Sequence, residues 1–125
     1  MPGLAFGNGH TITGAWIHQG RVGFVPAEVA VGLRGKHFKN WRSFQEAFWL
    51  EVGKHPRLLE GFSPANQTLI KAGEAPFASM SQQIGAGAAN QRFNLHHLKS
   101  LSEGGSLYDI DNIIVASPFH HLKAF

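Results

Sequence analysis

The stretch from Phe93 to His121 limits the fold of this chain more than any other. Two adjacent histidines, His96 and His97, follow Phe93-Asn94-Leu95. Gly104-Gly105 permits a turn, Ile113-Ile114-Val115 supplies a β-branched run, and Ser117-Pro118 precede Phe119-His120-His121. A β-branched run bounded by turn signals reads as a strand. Serine before proline reads as a helix start, because the first helical position needs no amide donor. Residues 92–125 are thus predicted to run strand, loop, strand and helix.

That order places chemistry as well as backbone. With His96 closing the first strand and His121 facing back from the helix, two neutral imidazoles from separate elements can hold one divalent ion. Zn, Ni and Co suit such ligands by softness; Mg or Mn are the alternatives that ask for more oxygen. His97, next in an extended strand, points away from His96. It can stand beside the ion and take a proton from water, since a histidine titrates near ~6.5. Asn112 reads as a loop fastener, its amide serving backbone donors and acceptors. Asp109 and Asp111 either cap the turn or orient a histidine from behind. The chain has no cysteine, which excludes disulfides, thiolate-zinc sites and cysteine nucleophiles.

At 125 residues, with 43% hydrophobic residues including ten Phe and three Trp, the chain is expected to form one domain with a modest core. Residues 1–24 are Gly-rich and read as loop, with Thr11-Ile12-Thr13 and Ala15-Trp16-Ile17 as weak strand candidates. Residues 25–91 read as a helical scaffold and loop. Pro26 opens a short helix, with Glu28 at its positive end and Gly32 and Gly35 limiting it. Asn40 caps the clearest helix, Trp41 to about Val52, whose Trp41, Phe44, Phe48 and Val52 form an apolar stripe. Trp49 lies off that stripe, free to pack a second side or stay partly exposed. Ser63-Pro64 opens a further helix to Lys71, with Gly73 as a stop. Residues 74–91 read as surface loop, and Phe77 within them as either a satellite-core anchor or an exposed contact. The expected class is α+β, a small mixed helical domain ending in a hairpin-helix unit.

A formal charge of +3 is compatible with a polyanion partner. Arg34, Lys36, Lys39 and Arg42 form a run without an acid, with His37 inside it. The run is either a solvated face or, with Lys99 beside the paired histidines, a set of nucleic-acid contacts. No stretch is long and apolar enough to span a bilayer, and Met1-Pro2-Gly3-Leu4 lacks a signal-peptide start. An exported role would need another route or a larger parent protein.

On these residues the sequence resembles the HNH, or ββα-metal, nucleases, and within them the cytotoxic DNase domains of colicins and S-type pyocins. The resemblance is carried by Phe93 through Gly105, by Tyr108-Asp109-Ile110-Asp111-Asn112-Ile113, and by Pro118 to His121. It extends more weakly upstream over Val25-Pro26, Phe38-Lys39-Asn40-Trp41 and Ser63-Pro64 to Gln82-Gln83. It implies that His96 and His121 are metal ligands and that His97 activates water. It also implies that Asn112 braces the loop holding that base, and that Arg92 lies near a phosphate-contacting arginine. Phe77, in Ala75-Pro76-Phe77, matches the aromatic contact of a small acidic immunity protein. The role implied is a monomeric, non-specific DNA endonuclease, delivered as part of a larger toxin and acting in the cytoplasm of a target bacterium. Two positions depart from the pattern. Asn94 stands where a glutamate precedes the histidines, and Phe125 occupies the place of the last metal-binding histidine. His120 points roughly 100° from His121 on a helix and is no simple substitute. The competing reading is an inactive module that keeps the fold and binds nucleic acid or the immunity protein.

Overall fold

In the computed structural model, which describes residues 1–17 and 22–119, helix α2 (Trp41–Val52) is the element around which the core is built. Its boundaries follow from its sequence. Asn40 is extended and its Oδ1 accepts from Ser43 N at 2.8 Å, while Gly53 ends the helix. Phe44, Phe48 and Val52 are fully buried and Trp49 is buried with them on a second side. The cap contributes about 1 kcal/mol, whereas each buried side chain contributes ~1.5–3 kcal/mol. Burial, not capping, holds this helix.

Helix α1 (Ala27–Leu33) packs on α2 through Val29, Ala30 and Leu33. Short α3 (Pro56–Leu59) follows, then α4 (Pro64–Lys71), capped by Ser63 and ended at Gly73, whose φ of +83° favours glycine. Glu28, in the first turn of α1, pairs with Arg57. Burial would raise its carboxyl pKa, but the hydrogen bond and charge of Arg57 outweigh this and leave it below the usual value. A depressed folded pKa contributes stability above the unfolded value and loses it as pH falls through the folded one. The pair is partly exposed, so Glu28→Gln should cost under about 1 kcal/mol at neutral pH. In urea titrations that difference should vanish at acid pH.

Two small sheets complete the α+β architecture. Strand β1 (Gly3–Leu4) pairs with β3 (His37–Phe38), and β2 (Val22–Phe24), β5 (Ile113–Ala116) and β4 (Asn94–His97) form an antiparallel sheet in that order. The predicted strand–loop–strand order is present, and Pro118 and Phe119 begin a helix. His120 to Phe125, including His121, lie outside the described residues.

Three expectations are corrected. Neither 11–13 nor 15–17 is a strand. Trp16 and Ile17 are core residues, and Trp16 Nε1 donates to the Phe24 carbonyl at 2.7 Å across β2. A Cβ on Gly23 would lie 2.7 Å from Ile17 Cδ1, so this segment packs its side chains over β2 where a strand would pair its backbone. Residues 74–91 are not all loop, since they contain a 3₁₀ turn at Met80–Gln82 and helix α5 (Ala88–Gln91). The first hairpin strand begins at Asn94, two residues later than expected, because Arg92 bridges to Phe77 instead.

Candidate functional site

Strand alternation separates the two histidines. His97 pairs with Ile113 and Leu95 with Val115, and Leu95, Ile113 and Val115 belong to the main core. His96 pairs with Ile114, so His96 and Asn94 occupy the opposite face. His96 is half-buried there.

His97 is held firmly. Its Nε2 lies 2.9 Å from the carbonyl oxygen of Leu107, and its ring lies 4.8 Å from that of Trp41. A carbonyl can only accept, so Nε2 carries a proton, and in the neutral form of the ring the lone pair lies on Nδ1. This is the tautomer of an oriented base. Next along the chain, Tyr108 is buried, donates from its hydroxyl to Met1 O at 2.6 Å, and has its phenol pKa raised by burial.

The connection between the hairpin strands is clamped at its base. Lys99 N donates to Asn112 Oδ1 at 2.8 Å, Asn112 Nδ2 donates to Lys99 O at 2.9 Å, and Leu98 N donates to Asn112 O. Gly104 is left-handed at φ +95°, and a Cβ on Gly105 would sit 2.1 Å from Lys99 O. The Gly-Gly pair thus makes both the turn and the close approach. Asn112→Ala removes two hydrogen bonds to Lys99, each worth about 0.5–1.5 kcal/mol. Urea unfolding should show a loss of about 1–3 kcal/mol. Hydrogen exchange at the Lys99 amide should accelerate.

The carboxylates serve the backbone. Asp109 Oδ1 accepts from Asp111 N, and Asp111 accepts from Asn8 N and Gly9 N at 3.1 and 2.8 Å. Asp109 caps its turn and Asp111 pins the N-terminal segment. Asn94 Nδ2 donates to the carbonyls of Ala89 and Arg92.

Arg92 belongs with Phe77. Its guanidinium stands 4.5 Å over the Phe77 ring and 3.7 Å from Glu74. Phe77 is 38% exposed, and its backbone is gripped on both sides by the Asn66 amide. Beside it lies a hollow of about 750 Å³ lined by Phe62, Phe93, Ala78 and Gln82 among others. Phe77 is therefore a fixed, outward-facing ring and not a core anchor.

The basic run is dispersed by the fold. Arg34 reaches Gly7 O and Asn8 Oδ1, close to the Asp111 end of the hairpin connection. Lys36 faces a hollow shared with Lys54 and Lys71, and Arg42 one shared with Glu46, Glu74 and Arg92. Lys39 and Lys99 are exposed.

Among the described residues no group of three or more His, Cys, Asp or Glu side chains could hold a metal ion. Of the two ligands expected, His96 is placed on the strand and His121 falls outside the description. Trp41 and the Leu107 carbonyl, the two partners of His97, had not been expected in this role. Trp41 reads from the sequence as one position of an apolar stripe, and a backbone carbonyl leaves no sequence signal.

The chain belongs to the colicin/pyocin-S2 DNase domain family, whose sequence model matches residues 3–125. It is 34% identical over 98% of its length to Pyocin-S2 of Pseudomonas aeruginosa and 39% identical over 97% to Colicin-E2 of Escherichia coli. It covers 18% and 21% of those proteins, about a fifth of their length. The DNase of the pyocin AP41 DNase–immunity complex superposes with a TM-score of 0.92 at 39% identity, covering 98% of this chain and 96% of that one. The mutant nuclease domain of pyocin S8, solved with its cognate immunity protein, gives 0.90 at 36%, covering 98% of each.

Proposed function

We propose that this chain is a metal-dependent endonuclease domain of HNH type that hydrolyses DNA with little sequence preference. The observation that carries the reading is His97, a histidine of a DNase-family hairpin held with Nε2 on the Leu107 carbonyl and Nδ1 left to accept. His97 takes the proton of the attacking water at Nδ1. Asn112, by clamping Lys99, holds the connection from which Leu107 reaches back. Arg34 and Lys99 border that connection and contact phosphates, which position a duplex without reading its bases. Arg92 supports Phe77 in place of clamping phosphate.

His96 and His121 are the ligands of a divalent transition ion, Zn, Ni or Co. Imidazole suits these metals, and His96 on a strand edge face fits one such position. Bound there, the ion supplies Lewis-acid stabilisation of the scissile phosphate and the departing oxygen. Phe125 has no lone pair, so two protein imidazoles hold it, and turnover is slower than with three.

The partner is a small acidic immunity protein that docks on Phe77, as the two solved relatives were each seen with an immunity protein. The domain reaches its target as part of a larger toxin and acts in the cytoplasm of a competing bacterium. Nicking of supercoiled plasmid in the presence of Ni, Co, Zn, Mn or Mg tests the reading. Wild-type protein should nick above a His97→Ala control, and equal traces with every metal would refute it. The second reading, an inactive module that binds DNA or the immunity protein, draws on Phe125 and Asn94 and predicts binding without cleavage.

A further inference from the structure

An imidazole held by one hydrogen bond still pivots about that bond, and a base that pivots loses its aim. We propose that Trp41 is a positioning residue for His97, its indole face fixing the plane of the imidazole and hence the direction of Nδ1. This rests on the reading of His97 as the proton acceptor. The two rings are 4.8 Å apart at 42°. Trp41 is itself immobilised, stacked at 5.1 Å and 12° on Phe44, a side chain with no exposure. Phe44 in turn lies 5.5 Å from Tyr108, and Tyr108 follows the residue whose carbonyl binds Nε2. Both restraints on the imidazole, the carbonyl and the indole, therefore run back to one buried aromatic cluster. Helix α2 delivers Trp41 there because Asn40 sets the helix start one residue earlier.

A flat ring is what the position requires. Leucine fills much of the volume but offers no plane and lets the imidazole swing, while phenylalanine keeps a plane. A misaimed catalytic group costs up to about 100-fold in rate without weakening substrate binding. Metal affinity should be untouched, since His96 is on the other face of the strand.

The test compares wild type, Trp41→Leu and Trp41→Phe as Zn-loaded protein on supercoiled plasmid, at a temperature where circular dichroism shows all three folded. Trp41→Leu should lower kcat by about 10–100-fold. KM and Zn affinity should be unchanged, and Trp41→Phe should restore most of the rate. Full kcat in the leucine variant, or no rescue by phenylalanine, overturns the proposal. If wild type does not nick above His97→Ala, the reading of His97 as base fails, and ring ¹⁵N NMR decides the positioning role by itself. A single Nε2–H tautomer of His97 in wild type and Trp41→Phe, mixed in Trp41→Leu, supports it. The same tautomer population in all three overturns it.

Discussion

Replacing His97 with alanine should cut metal-stimulated plasmid nicking by about 10²–10⁴-fold, the contribution of one well-placed general base. The size follows from how completely the side chain is committed. Its Nε2–H is taken by Leu107 and its ring packs against Trp41 at 4.8 Å and 42°, so the imidazole is held in both position and tautomer. DNA affinity should hardly move, because phosphate contacts rest with basic side chains and not with this half-buried ring. Zn affinity should also be kept, since strand alternation puts His96 on the opposite face. A His96→Ala protein should show the converse, with weaker metal binding and activity partly recovered at high metal concentration. Undiminished nicking by His97→Ala would remove this residue from the chemistry.

How much of this was legible in the sequence depended on distance along the chain. Helix α2 could be read to the residue because its cap and stripe are local, Asn40 beside Trp41, then Phe44, Phe48 and Val52 at helical spacing. Helix α4 was legible for the same reason, with Ser63-Pro64 at one end and Gly73 at the other. Strands β1 and β2 were not. Each is two or three residues long, too short for alternation, and each is fixed by a partner far away, Gly3 by Phe38 and Val22 by Ala116. Gly3 is needed there because a Cβ would lie 2.6 Å from the Tyr108 ring, a contact no local pattern signals. The paired histidines and Asn112 stood out because their residue types are informative wherever they fall. Arg92, set near a phosphate-contacting arginine by the resemblance, stands over Phe77 and beside Glu74, contacts that no local pattern signals. Likewise Lys36 and Arg42, close in sequence, line different hollows of the fold.

Phe125→His should produce the largest gain of any single substitution. Residue 125 lies outside the described part of the structure, so the expectation rests on the match to the last metal-binding histidine of the family pattern. Partners one shell away from a metal typically change its affinity by ~10–100-fold, and an inner ligand should exceed that. Competition with a chromophoric chelator should therefore show Zn binding tightened by more than about 100-fold. Phe125→Leu should leave it as in wild type. Nicking should rise with occupancy at low metal concentration. The double variant Phe125→His/His97→Ala separates holding the ion from moving the proton, since it should bind Zn tightly and yet not cleave. Unchanged Zn affinity in Phe125→His would show that position 125 does not face the ion. Tight binding without nicking in the single variant would instead show that the defect lies outside the holding of the ion.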